Sequence, residues 1–128
     1  MKVPVDRKYS ETHEWFLLDN EVVTIGITQY AADELTDITY VELPEVGAKL
    51  AAGDQISEVE SVKATSEIFT ALGGTVVEVN TALTDHPELI NDDAFEEGWI
   101  AKVKVESVKP LESLLSAKEY LAFIKNAT

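Results

Sequence analysis

Hydrophobic positions along this chain fall into short runs of strand length, separated by polar or glycine-containing breaks. The first clear runs are Trp15, Phe16, Leu17 and Leu18, then Val22, Val23, Ile25 and Ile27, with Asp19-Asn20 between them. Two β-rich runs around such a dipeptide predict a hairpin. Residues 1–12, with mixed charge and Pro4, read as an arm leading into it. Thr28 is placed to N-cap a short helix over 30–35, whose Asp33 and Glu34 would face solvent. A helix that short needs a sheet to pack on. A strand over 38–43 follows, closed by Pro44, and Gly47 and Gly53 punctuate a compact turn around Lys49-Leu50.

Two further strands are predicted over 56–61 and 65–70, and Gly73-Gly74 turns the chain into a strand over 75–79 that ends at Asn80. Residues 82–98 read as loop, with one helical turn at 87–90. The clearest half-buried strand comes next: Trp99, Ala101, Val103 and Val105 alternate with Ile100, Lys102, Lys104 and Glu106. Pro110 opens a C-terminal helical region. Ser116 and Glu119 have the spacing of a capping box, which predicts a helix from 117 to about 125 with Leu121, Phe123 and Ile124 on its apolar side. Many short strands and few helices predict a mainly β fold, a small sandwich or barrel with peripheral helices. At 128 residues the chain suits one domain, 1–128, with a single core.

Charge and composition narrow the function. A formal net charge of −14 argues against nucleic acid and anionic membrane surfaces as partners, since both demand basic patches. It suits docking onto basic surfaces of other proteins, and it serves plain solubility equally well. With 45% apolar residues the chain is no disordered acidic tail. It contains no cysteine, so thiol chemistry would have to come from a borrowed sulfur-bearing cofactor. His13 and His86 are the only histidines, which excludes a histidine-rich metal site, and Gly73-Gly74 lacks the spacing of a phosphate-cradling loop. A self-contained enzyme is the weaker hypothesis. An initiating methionine without an apolar leader or a transit peptide favours the cytoplasm of a bacterium or archaeon, a processed mitochondrial-matrix form being the alternative.

One position stands out from these exclusions. Lys63 is the only lysine or arginine between Lys49 and Lys102, and Glu58, Glu60 and Glu67 lie within five residues of it. It falls between two predicted strands, as either an ordinary solvated lysine or one displayed for chemistry. Gly47 lies sixteen residues before it and Gly74 eleven after. This arrangement resembles the biotinyl/lipoyl attachment family, in which a lysine at a hairpin tip receives a cofactor by amide linkage and two glycines allow turns. The likeness extends through Tyr9-Ser-Glu-Thr-His-Glu-Trp15, Val23-Thr-Ile-Gly-Ile-Thr28, Val41-Glu-Leu-Pro-Glu-Val-Gly47, Glu60-Ser-Val-Lys-Ala-Thr-Ser66, Val76-Val-Glu-Val-Asn80, Pro87-Glu-Leu-Ile-Asn91 and Glu97-Gly-Trp99. In that order, over nearly the full length, these segments resemble the H-protein family of the glycine cleavage system. A biotin carrier would place methionines beside the lysine, where this chain has Val62 and Ala64.

The resemblance implies a barrel-sandwich hybrid of the lipoyl-carrier type and a non-catalytic carrier bearing lipoic acid on Lys63. The arm would take an aminomethyl group and electrons from a glycine decarboxylase. It would pass the one-carbon unit to an aminomethyltransferase and be reoxidised by a dihydrolipoyl dehydrogenase. A role chiefly as lipoyl donor to other lipoyl enzymes, or as a cofactor-free interaction module, is the alternative. Because lysine is an ammonium at neutral pH, with roughly one in a few thousand neutral, a lipoate ligase or lipoyltransferase is needed, and Glu60 is the expected recognition feature for it. The resemblance also implies a surface cleft for the loaded arm near Thr12, Glu14 and Glu67, with Glu14 pairing with the protonated amine and Thr12 hydrogen-bonding to it. His13, Trp15 and Trp99 are expected to be structural. Two departures from the family pattern are noted: Ala71-Leu-Gly-Gly74 replaces a proline-containing turn, and Thr36 replaces a frequent glycine after the short helix.

Overall fold

The computed structural model describes residues 2–127. Nine strands occur in the order β1 (Lys8–Tyr9), β2 (Glu14–Asp19), β3 (Val22–Ile27), β4 (Ile38–Glu42), β5 (Lys49–Leu50), β6 (Gln55–Ser61), β7 (Thr65–Phe69), β8 (Gly74–Val79) and β9 (Ala101–Val105). Helix α1 (Gln29–Leu35) sits between β3 and β4, α2 (Ala82–Asp85) and α3 (Leu89–Asp92) between β8 and β9. A 3₁₀ turn (Lys109–Ser113) and α4 (Ala117–Ala127) close the chain. The strands form a six-stranded sheet in the order β1-β2-β3-β9-β8-β5 and a three-stranded sheet in the order β4-β6-β7, with antiparallel pairing throughout. Residues from both sheets, among them Ile25, Val59, Ile68 and Val103, bury their side chains in one shared core. This is the mainly β architecture that the patterning predicts.

Local rules account for the elements around the site. The β2–β3 hairpin turns at Asn20, whose φ of 58° is the left-handed conformation that asparagine tolerates better than most residues. Thr28 caps α1, its hydroxyl accepting from Ala31 N–H at 3.2 Å. Ala32 and Leu35 are the buried face of that helix. Its far end is unusual, because Thr36 adopts φ 61°, ψ −146°, a region suited to glycine. Ser116 and Glu119 form the reciprocal capping pair at the start of α4: Ser116 N–H donates to Glu119 Oε1 at 2.8 Å and Glu119 N–H to Ser116 Oγ at 3.2 Å.

Several expectations are corrected by tertiary contacts. Lys8–Tyr9 pairs with β2, so part of the expected arm is a strand, and Lys49–Leu50 pairs with β8 rather than merely turning. The 82–98 stretch holds two single helical turns. The last strand begins at Ala101; Ile100 enters the main core, while Trp99 packs half-buried against a second cluster that includes Trp15 and Phe95. The cause is Asn80, whose side-chain amide donates to the carbonyls of Glu97 and Trp99, both at 2.8 Å, bending the approach. Trp99 is left half-buried beneath Lys102, whose ammonium lies 5.1 Å from the ring centroid. Helix α4 docks through Ala117, Tyr120 and Ile124, while Leu121 faces solvent. Tyr120 stacks on Tyr9 at 4.9 Å. Among the described residues, no helix is long and apolar enough to cross a membrane.

Candidate functional site

Lys63 occupies the connection between β6 and β7, whose register brings Glu60 opposite Thr65. The turn is organised by a residue that the sequence reading did not single out. Ser61 Oγ accepts from the backbone N–H groups of Lys63 at 3.1 Å and Ala64 at 3.0 Å, and its own hydroxyl donates to Ala64 O at 3.1 Å. Ser61 N–H also donates to Ala64 O, at 2.8 Å. A serine two residues before the displayed lysine is a sequence signal for such a turn. Val62, Lys63 and Ala64 are all exposed, so the lysine stands on a narrow tip with a defined backbone.

From outside the hairpin, the corner between α1 and β4 reaches the tip. Val62 N–H donates to Asp37 O at 3.0 Å and Lys63 Nζ to Glu34 O at 3.1 Å. The lysine therefore meets a backbone carbonyl, not one of the acids that surround it in sequence. Those acids line up elsewhere: Glu42, Glu58 and Glu67 are directly opposite one another across β4, β6 and β7, a like-charge row on one face of the sheet. Glu60 is exposed two register positions nearer the tip, opposite Tyr40 and Thr65.

A cleft of about 550 Å³ adjoins β7, walled by Glu11, Thr12 and His13 on one side and by Thr65, Ser66, Glu67 and Phe69 on the other. Thr12 and Glu67 thus face one open groove, which begins two residues beyond Lys63. Glu14 does not line it. Its side chain is 1% exposed and lies under the wall, where it accepts hydrogen bonds from the hydroxyls of Ser10 and Thr12 and from Phe69 N–H at 3.2 Å. Burial pushes its carboxyl above the usual carboxylate range, opposed by the bonds from Ser10, Thr12 and Phe69. With Glu14 ionised, the Thr12 hydroxyl hydrogen is committed to it, so Thr12 Oγ1 offers lone pairs alone to the cleft. The wall can then accept hydrogen bonds from an amine. Ser10, which also accepts from Glu14 N–H at 3.0 Å, is a second contributor absent from the sequence reading.

His13 is half-buried, with φ 72°, and its Nδ1 lies 2.8 Å from the Tyr120 hydroxyl. Burial lowers its pKa. The Tyr120 hydroxyl continues to Thr28 Oγ1 at 2.7 Å, tying α4 to the cap of α1, and burial pushes its own pKa up to about 12. Trp15 is 1% exposed and donates to Ala94 O at 3.1 Å.

Gly47 and Gly74 are brought together around β8, not at the lysine tip. Gly47 N–H donates to Val76 O at 2.7 Å from a residue at φ 95°. Gly74 is a strand residue paired with Leu50 and Val105. A Cβ there would stand 2.2 Å from Lys104 O, so close approach of the next strand, rather than a turn, demands the glycine.

A mainly β scaffold that holds an exposed lysine on a hairpin, beside a polar groove, has the arrangement of a carrier of the lipoyl-attachment class. Comparison with known proteins makes the family specific. The family model described as "Glycine cleavage H-protein" matches residues 7–127. The glycine cleavage system H protein of Acinetobacter baumannii (strain ATCC 17978) is 48% identical over 122 residues, covering 95% of this chain and 98% of its own. That of Geobacillus kaustophilus is 46% identical over 124 residues, 97% of this chain and 98% of its own. The crystal structure of a glycine cleavage system H protein from Mycobacterium marinum superposes with a TM-score of 0.88 at 36% identity, covering 98% of this chain and all of that one. The chain belongs to the glycine cleavage H-protein family, the lipoyl carriers of the glycine cleavage system.

Proposed function

We propose that Lys63 is the residue that carries lipoic acid and that the chain is a non-catalytic shuttle in glycine cleavage. The observation that carries this reading is the exposed Lys63 on its Ser61-ordered tip in a chain of this family. The residues fit the group. The ammonium is reachable from solvent and bonded to a carbonyl that it can leave, and a polar cleft lies alongside the following strand. From Thr65 to Phe69 that strand advances ~13 Å, at ~3.3 Å per residue, which gives a tethered arm a wall to lie against.

Lipoic acid, when attached, supplies the disulfide that this cysteine-free chain lacks and can take up an aminomethyl group with two electrons. The chain's residues do the rest. Lys63 provides the amine for the amide bond, and Ser61 keeps it at the tip. Thr12 and Glu67 line the open groove along which the arm would lie, where polar contacts along its wall slow decay of a labile adduct. Glu14 acts from beneath by orienting Thr12, a positioning part in place of the direct ion pair expected from sequence. Glu60, exposed near the tip, is assigned to recognition by a lipoate ligase or lipoyltransferase.

The partners in this reading are glycine decarboxylase, aminomethyltransferase and dihydrolipoyl dehydrogenase. Reconstitution tests it: the lipoylated chain should support glycine-dependent release of carbon dioxide and ammonia with those three proteins, tetrahydrofolate and a nicotinamide dinucleotide as electron acceptor. A lipoylated chain that supports neither, yet donates its lipoyl group to other lipoyl enzymes, would replace the shuttle with the donor role.

A further inference from the structure

The corner joining α1 to β4 is built with more care than a surface connection needs. Asn91, on α3, donates its amide to Thr36 O at 2.7 Å and to Ala32 O at 3.4 Å, while its Oδ1 accepts from Ile38 N–H at 3.0 Å. Gln29 closes the other side, donating to Asn91 O at 2.8 Å. One side chain thus spans the last turn of α1, the strained Thr36 and the first residue of β4. Between these anchored points lie the two carbonyls that meet the tip: Glu34 O, facing Lys63 Nζ, and Asp37 O, facing Val62 N–H.

We propose that this corner, latched by Asn91, is a cradle that positions the hairpin tip for acylation of Lys63 and loosens its hold once that lysine is acylated. The proposal rests on Lys63 being the attachment residue. Carbonyls in the last turn of a helix lack intrahelical partners and accept readily from a cation. In a seven-residue helix the local lone pairs matter more than any accumulated dipole. The Val62 bond fixes the tip backbone, so the modifying enzyme meets one orientation instead of many.

Acylation changes the donor. The Nζ ammonium loses two protons to base and solvent, and a C–N amide bond forms to the acyl carbon. The bond from that carbon to its leaving group, an adenylate or a carrier thiolate, breaks, and the leaving group keeps the electron pair. Nothing is oxidised or reduced. Three N–H donors with a positive charge become one neutral N–H, so the charge-assisted part of the contact with Glu34 O disappears. Of the two bonds between the tip and the corner, the one from Val62 N–H to Asp37 O is then the only one left at full strength.

Asn91→Asp isolates the latch. It keeps an acceptor for Ile38 N–H but has no amide to donate to Thr36 O or Ala32 O. The test combines lipoyl transfer by a purified lipoate ligase, with lipoic acid and ATP, and amide exchange at Val62 followed by NMR. In the variant, KM for the carrier chain should rise about three- to fivefold, with kcat changed by less than about twofold. Val62 should exchange faster, while Ser61, bonded within the hairpin, should not change. In the wild-type chain, acylation itself should speed Val62 exchange about threefold. An unchanged KM in Asn91→Asp, or Val62 exchange equal before and after acylation, overturns the proposal. The wild-type comparison decides alone if the variant does not fold. Failure of the ligase to acylate the wild-type chain has a separate signature: it removes the attachment reading, and this inference with it.

Discussion

Glu14 Oε2 accepts a hydrogen bond from Phe69 N–H at 3.2 Å, which ties the first residue of β2 to the last residue of β7 across the two sheets. The other oxygen holds the hydroxyls of Ser10 and Thr12. A single buried acid therefore joins the scaffold, the cleft wall and the strand that leads away from the lysine.

Glu14 should leave a pH signature. Its native pKa is raised above the ordinary 4.5, so the folded chain binds that proton more tightly than the unfolded chain does. The stabilising contribution is complete below about 4.5 and is lost as pH rises through the native value. Glu14→Gln removes this dependence, because its amide can bond Ser10, Thr12 and Phe69 without titrating. Melting curves from pH 4 to 7 should show wild type losing ground to the variant as pH rises, and a constant gap would contradict this. Gln also frees the Thr12 hydroxyl to point its hydrogen into the cleft. Lipoylation should persist while the loaded arm's lifetime shortens, and an unchanged lifetime would remove Glu14 from the site.

The two glycines named from spacing should differ sharply. Gly74→Ala places a methyl 2.2 Å from Lys104 O, backbone that can yield only by parting β8 from β9, and should destabilise by about 3 kcal/mol. Gly47→Ala meets nothing within 4 Å and suffers only from its φ of 95°, a cost of about 1 kcal/mol. Urea denaturation of both variants checks the order.

Thr36 is strained where the family often has glycine. Thr36→Gly relieves φ 61°, a strain of about 1–3 kcal/mol. It gives back part through the freer unfolded chain and through loss of the Thr36 hydroxyl bond to Leu35 O at 2.6 Å. A net gain of about 1 kcal/mol should raise Tm by ~4 °C. A lower Tm would show that the hydroxyl bond outweighs the strain.

Much of the fold was legible because local signals agree with it. The Asn20 turn, the Thr28 cap, the alternation of Ala101, Val103 and Val105, and the Ser116–Glu119 pair each depend on neighbours in sequence. The position of Lys63 at a hairpin end was legible for the same reason, from the two strand runs on either side of it. What stayed hidden depends on contacts distant in sequence. Trp99 falls out of the strand because Asn80 pulls on its carbonyl. Gly74 is glycine because of Lys104, thirty residues on. Glu14 looked like a surface acid until Ser10, Thr12 and Phe69 closed over it, and Asn91 looked like a polar loop residue although it latches the corner beside the lysine.

The central claim, that Lys63 carries the cofactor, is tested most directly by intact mass of the chain co-expressed with a lipoylation pathway, wild type beside Lys63→Ala. One lipoyl adduct on the wild-type chain, mapped to Lys63 and absent from the variant, is the predicted result. No adduct on wild type, or an adduct that survives Lys63→Ala, would contradict it.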